Sequence, residues 1–454
     1  MPLRERPARG PRPLFRNPGV QAPAIPAIKG GARITEHRLR NGLKVLVAER
    51  HADPIVAVML FYRVGSRNET EREAGVSHFL EHMMFKGTRR FGKGEVDRLT
   101  TVLGGQNNAF TGNDHTGYWF ELAADRWETA LEIEADRMRG LLLDEAEFEA
   151  ERAVVLEELA MGEDEPWRVL GRRVESAVFP RHPYGRPIIG YPDSLLGLGV
   201  ADMRDYYGRF YHPGNATLVI SGDVRPSAAL RKVRKHFGGI PAGVPYEQAD
   251  CFRGALEEPG GEHRLTTTWD DPGRRLCMAY PTAPVGSDED YVLDLVTAAL
   301  SGGRMSRLQH RLVYEEGLAV SISTSNDARV DSGVFWVFGE CAQGTPPERL
   351  EAAVDDELAR LGSESLSAAE LRRAKAIVRA AEAYESETVS DLAEDLGEFA
   401  VDAHWRLALD GCERYARVTA RQVREVAARL LVPRRRVVGW SLPREESQGA
   451  RSPA

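Results

Sequence analysis

Apolar and polar residues alternate on both sides of Asn41-Gly42 in ITEHRLRNGLKVLVAER, which starts at Ile34. Two strand-period segments across an Asn-Gly pair predict a β-hairpin. The next run, IVAVMLFYRVGS (Ile55 to Ser66), reads as a buried strand. The spacing then changes to that of a helix in GVSHFLEHMMFKGT (Gly75 to Thr88), with Gly87 as its stop. A short helix in EVDRLTTVLGG follows, then strand character in NNAFTGNDHTGYWFELAA, then one long helical stretch from about Asp125 to Met161. Strands and helices come in blocks rather than in strict alternation, which predicts an α+β fold.

The pattern repeats. DMRDYYGRFYHPGNATLVISGDV (Asp202 to Val224) is a helix, a proline turn and a strand, and QVREVAARLLVPRRRVVGWSLP (Gln422 to Pro443) has the same plan. NNAFTGNDHTGYWFELA is echoed by AVSISTSNDARVDSGVFWVFGE (Ala319 to Glu340). Two homologous mixed α/β domains produced by internal duplication are therefore expected. The Gly- and Pro-containing stretch between them lacks periodicity and reads as a linker. The division is an N-terminal flexible arm over 1–33, a first domain over 34–240, a linker over 241–262, a second domain over 263–443 and a flexible tail over 444–454.

A chain of 454 residues exceeds what one hydrophobic core usually serves, which agrees with two domains. The formal net charge of −8 gives no field to attract nucleic acid. No apolar run is long enough to span a membrane. The Arg- and Pro-rich start is not a signal peptide, so a soluble protein of the cytoplasm or periplasm is expected. The four cysteines, Cys251, Cys277, Cys341 and Cys412, form no CxxC pair and read as thiols. The triplet Arg434-Arg435-Arg436 reads as a solvated turn, and His115 as a loop-lining residue.

Chemistry concentrates at His78, Glu81 and His82, an H-x-x-E-H array. Positions i, i+3 and i+4 share one helix face, so two imidazoles one turn apart can hold one metal while the glutamate sits beside it. A hydrolytic zinc site offers three protein ligands and one open position. The helical stretch EAERAVVLEELAMGEDE supplies Glu151 and Glu158, two turns apart, with Val154 and Val155 between them on the same face. Carboxylates on an apolar face are costly unless a metal or hydrogen bonds satisfy them.

Through HFLEHMMFKGT, GGQNNAFTGNDHTGY and ERAVVLEEL, the chain resembles the pitrilysin-type (M16, inverzincin) zinc peptidases, which include the insulin-degrading enzyme and the mitochondrial processing peptidase. The resemblance runs from about Ile34 to Pro443 and implies one half of a clamshell. It implies that His78, His82 and Glu158 bind Zn2+, that Glu81 is the general base, and that Glu151 orients a ligand histidine. It also implies that Asn108, Ala109 and Phe110 form a sheet edge that receives the peptide substrate as an added strand, and that the second domain lacks the zinc motif.

Active single-chain relatives carry an Arg and a Tyr in the second domain that reach the substrate carbonyl. Aligned with them, SGGRMSRLQHRLVYEEGLAVSIS has Val313 and Val320, and neither can donate a hydrogen bond. A shift of one residue would bring up Tyr314, with Arg307 or Arg311 as neighbouring donors. The expectation is a zinc metalloendopeptidase for short or unfolded polypeptides, acting as the catalytic subunit of a heterodimer whose M16 partner supplies Arg and Tyr. The alternatives are a maturation protease for one peptide precursor and a non-catalytic scaffold.

Overall fold

The computed structural model describes residues 27–249 and 260–444. The first half builds a seven-stranded sheet from β1 (Ala27–Lys29), β2 (Ala32–Arg38), β3 (Lys44–Glu49), β4 (Ile55–Tyr62), β5 (Gln106–Thr111), β6 (Thr116–Ala123) and β7 (Ala216–Gly222), in the order β1-β2-β3-β7-β4-β6-β5. The second half builds a five-stranded sheet from β8 (His263–Trp269), β9 (Arg275–Thr282), β10 (Ala319–Asp327), β11 (Gly333–Cys341) and β12 (Val437–Pro443), in the order β10-β11-β9-β12-β8. Strands β3-β7-β4-β6-β5 correspond one for one to β8-β12-β9-β11-β10. The single parallel pairing recurs at the same place, β3 with β7 and β8 with β12, while the other pairs are antiparallel. The two domains are thus copies of one mixed α/β plan.

Five helices position the site: α1 (Val76–Met83), α2 (Glu128–Gly140), α3 (Glu145–Glu163), α4 (Pro166–Val178) and α5 (Val389–Asp402). The stretch from Asp125 to Met161 is thus two helices rather than one. Leu143 takes a left-handed φ of 48°, and Asp144 starts α3 by accepting hydrogen bonds from the Ala146 and Glu147 amides. Such a side-chain cap marks a helix start that apolar spacing alone does not reveal.

The domains exchange helices. The outer face of the first sheet (Ala57, Met59, Phe61, Val219) is covered by Leu392, Ala393 and Leu396 of α5, from the second half of the chain. Reciprocally, Leu170, Val174 and Val178 of α4 lie on Cys277, Ala279 and Val437 of the second sheet. Gly397 allows the close approach of α5, since a Cβ there would stand 2.0 Å from the Phe61 ring.

The hairpin tips of the two domains also meet. Tyr184 donates to Asp114, the Val330 amide donates to the same carboxylate at 3.2 Å, and Arg67 bridges Asp114 and Asp331. His115, expected to line a loop, sits in the β5–β6 loop and joins that hairpin to α5 through Asp402 at 3.0 Å and Glu398 at 3.6 Å. Burial opposes charge on His115, but the two carboxylates override it and push the imidazole up to about 10. A folded-state value above the ordinary 6.5 means that this contribution to stability is complete below 6.5 and is lost as pH rises through about 10. The Tm of the wild type is therefore expected to fall more steeply between pH 6.5 and 10 than that of His115→Gln. Equal slopes in a thermal unfolding series would remove the ion pair from the joint.

Three further details differ from the expectation. Residues 27–33, assigned to the flexible arm, belong to the sheet: β1 pairs with β2 across Gly30-Gly31, whose φ values of 54° and 74° form a tight turn. The linker span contains a short helix, Tyr246–Ala249, whose tyrosine hydroxyl accepts from Asn68 at 2.9 Å; the rest of the span up to residue 259 lies outside the described residues, as do residues 445–454 of the tail. Arg436 is no solvated turn residue but is buried and paired with Glu262, Glu351 and Asp355. Among the described residues, no helix is long and apolar enough to cross a membrane.

Candidate active site

Helix α1 is short and depends on its surroundings. It starts after Gly75, which has a φ of 95°, and the buried Glu69 carboxylate accepts from the Gly75 and Ser77 amides at 2.9 and 2.8 Å. Burial pushes Glu69 up to about 7 against those two hydrogen bonds. Val76, Phe79, Leu80 and Met83 are buried in the first core, which turns His78, Glu81 and His82 to the opposite, half-buried side.

Helix α3 packs against α1 and brings Glu158 to the two histidines. His78 Nε2 lies 3.8 Å from Glu158 Oε1, and His82 Nε2 lies 3.5 Å from Glu158 Oε2. One donor atom from each residue falls within 4.8 Å of the other two. Ligands held tetrahedrally at about 2.0–2.1 Å stand roughly 3.3 Å apart, so these three side chains need little movement to share one zinc ion. Burial, with the positive potentials of His82 and Arg168, holds the His78 imidazole down at about 4. It is therefore neutral near pH 7, the form that ligates metal.

Glu151 is buried on α3 and receives His82 Nδ1 at 2.9 Å. That bond assigns the proton to Nδ1 and leaves the Nε2 lone pair facing Glu158. Burial works against the Glu151 charge, yet Lys86, at 2.5 Å, and His82 hold its carboxyl below the ordinary range. Substitution Glu151→Gln is expected to weaken zinc affinity by about 10- to 100-fold, as loss of an outer partner does. Competition with a chelator of known affinity checks this, and unchanged affinity would deny Glu151 that role. On the same helix Val155 is buried, but Val154 is 47% exposed and does not share the face. The Glu157 side chain is exposed.

Glu81 is held from the sheet. The Thr111 hydroxyl, at the end of β5, donates to Glu81 Oε2 at 2.5 Å. Burial lifts the Glu81 carboxyl above its ordinary range, and the Thr111 bond opposes that lift. Thr111, Glu69 and Lys86 escaped the reading of the sequence. Lys86 stands four residues after His82 on a visible motif, whereas the Thr111 bond crosses from strand to helix and leaves no local signal. Substitution Thr111→Val, which leaves Glu81 without its donor, is expected to lower kcat about tenfold with KM little changed, a 1.4 kcal/mol effect of the size of one hydrogen bond to a charged group. Steady-state kinetics on an unfolded peptide would detect it, and an unchanged kcat would contradict it.

Asn108, Ala109 and Phe110 lie on β5, the last strand of its sheet, with one backbone edge unpaired by any described strand. Phe110 packs edge-on against Phe61 and His115. In the second domain Val313 is half-buried, and Val320 is 64% exposed at an irregularity of the edge strand β10. Of the neighbouring donors, Arg307 is paired with Glu370, and Arg311 with Glu316, Asp356 and Glu357. Tyr314 is exposed, with Arg304 over its ring.

Two family profiles match the chain. Residues 44–191 match Insulinase (Peptidase family M16), and residues 198–378 match the Peptidase M16 inactive domain. An "uncharacterized zinc protease" of Mycobacterium tuberculosis (strain H37Rv) is 30% identical over 79% of this chain and 81% of its own length. The zinc protease PqqE of Helicobacter pylori is 29% identical over 78% of this chain and 80% of its own. The crystal structure of a protease from Helicobacter pylori superposes with a TM-score of 0.83 at 25% identity, covering 91% of this chain and 100% of that one. The periplasmic protease PqqL from Escherichia coli has the same fold, with a TM-score of 0.77 at 20% identity over 95% of this chain and 49% of that one.

Proposed function

Given that this chain belongs to the insulinase family of peptidases, M16, we propose that it is a zinc metalloendopeptidase of short or unfolded polypeptides in which His78, His82 and Glu158 hold the metal and Glu81 is the general base. The observation that carries this reading is the convergence of the three donor atoms within 4.8 Å, with Glu81 tied by Thr111 to the edge strand beside them. The His2Glu donor set is one that hydrolytic zinc sites use. When bound, zinc acidifies a coordinated water and polarises a carbonyl.

The chain's own residues do the rest. An extended peptide adds to β5 by main-chain hydrogen bonds along Asn108, Ala109 and Phe110, which favours unfolded substrates and tolerates many side chains. Glu81 takes a proton from the attacking water and returns it to the leaving amine. Thr111 fixes the carboxylate for both transfers, and Glu151 keeps His82 in its ligand tautomer.

Donors aimed at the developing oxyanion are missing from Val313 and Val320, and the nearby Arg307 and Arg311 are held in ion pairs. The reading therefore includes a related partner chain that supplies an Arg and a Tyr. Removing one oxyanion donor costs roughly 10²- to 10³-fold in kcat, so the purified zinc-loaded chain is expected to cleave an unfolded peptide slowly, with that slow cleavage abolished by a chelator and restored by zinc. Cleavage by the lone chain at a typical peptidase rate of about 10 s⁻¹ would rule out the partner, and cleavage indifferent to chelator would rule out the metal.

A further inference from the structure

Two cavities share the side chains of Arg168, Arg329 and Glu175. A cavity of about 550 Å³ is lined by Trp167, Arg168, Ser321, Ser323, Trp336 and Phe338, and a second, of about 330 Å³ between α3 and α4, shares Arg168. The second cavity is walled by Leu159 and Gly162, the neighbours of Glu158 along α3. Four residues of helix advance about 6 Å, so Gly162 stands one turn beyond the proposed metal ligand.

The arginines around these cavities are occupied, except for one. Arg172 pairs with Glu163, Arg329 with Glu175 and Asp327, and Arg186 donates to the Ser66 and Glu69 carbonyls. Arg168 has no hydrogen bond or ion pair among the described residues. It is exposed, and its guanidinium lies flat against Gly162, where a Cβ would stand 3.0 Å from Cζ. Its charge is felt by His78 and by Glu163, but Glu163 is already bonded to Arg172. Arg168 also sits in the first turn of α4, where the helix dipole favours an anion.

The walls suit the body of a residue whose end is charged. Trp336 and Phe338 stack with centroids 5.6 Å apart, and Trp167 meets Phe338 edge-on at 5.9 Å. Such rings bury a side chain while the guanidinium fork takes a carboxylate.

We propose that Arg168 is the specificity-determining residue of a substrate subsite that takes a carboxylate of the peptide, with the Trp167, Trp336 and Phe338 rings packing the residue that bears it. The proposal rests on the peptidase reading for its place beside the scissile bond, but binding at Arg168 does not depend on turnover. The carboxylate belongs either to the C-terminus of the peptide or to an acidic side chain.

Fluorescence anisotropy with the full zinc-loaded chain carrying Glu81→Gln separates these sources without cleavage. Four labelled unstructured peptides of one sequence are used, with a C-terminal acid or amide and a single Glu or Gln. Carboxylate-bearing peptides are expected to bind up to about fivefold more tightly than the neutral one, the range for an exposed ion pair. The ratio should approach one in Arg168→Ala and in high salt, survive in part in Arg168→Lys, and shrink in Gly162→Ala, which moves the guanidinium without changing charge. Preference for acid over amide identifies the C-terminus, and preference for Glu over Gln identifies the side chain. Equal binding of all four peptides, or a ratio that Arg168→Ala leaves intact, overturns the proposal. A wild-type chain that cleaves nothing would sink the peptidase reading while leaving these binding ratios interpretable.

Discussion

Glu81→Gln is expected to keep one zinc ion per chain and to lower kcat on an unfolded peptide by roughly 10²- to 10⁴-fold, the range that a positioned proton acceptor contributes. Glutamine matches glutamate in shape, and its carbonyl oxygen can still accept the Thr111 hydrogen bond that fixes Glu81. The change removes a proton acceptor and little else. Zinc content by elemental analysis, measured beside kcat on the same preparation, separates loss of chemistry from loss of metal. A variant that retains full turnover would strip Glu81 of the role of base.

Glu158→Ala should behave differently, losing zinc and activity together. It deletes the carboxylate that stands 3.8 and 3.5 Å from the two imidazoles, and two histidines one turn apart make a weaker site than three converging ligands. The fall in zinc affinity should exceed the 10- to 100-fold expected of an outer partner such as Glu151. Glu157→Ala is the control, because that side chain is exposed and lies outside the cluster. Chelator competition across the wild type and the three variants gives the order, and equal affinity in Glu158→Ala and wild type would break the assignment of the third ligand.

Much of this site was legible because helix geometry is local. His78, Glu81 and His82 share a face for any helix that contains them, and Glu151 and Glu158 return to one face after two turns. The same arithmetic explains the misplacement of Val154. At about 100° per residue, Val155 and Val154 fall on opposite flanks of the stripe through Glu151 and Glu158, and only the Val155 flank turns into the core.

What stayed hidden depends on tertiary contact. Nothing in the spacing of residues 389–402 says that this helix covers the sheet of the other domain, because its apolar face would suit either sheet. Arg436 looked solvated because its partners, Glu262, Glu351 and Asp355, come from elsewhere in the chain. Gly30-Gly31 passed for the end of an arm because the strand before it, Ala27–Lys29, is too short to show a period. The duplication, by contrast, was visible in repeated helix-turn-strand segments, and the structure gives it the same strand order and the same parallel pair in both halves.

The most direct test of the account is zinc-edge X-ray absorption on the zinc-loaded chain, with Glu158→Ala alongside. One zinc per wild-type chain is expected, with two imidazole nitrogens at about 2.0–2.1 Å and oxygen completing the shell, and with a signal that collapses in the variant. A spectrum without two imidazoles, or one unchanged by Glu158→Ala, would contradict it.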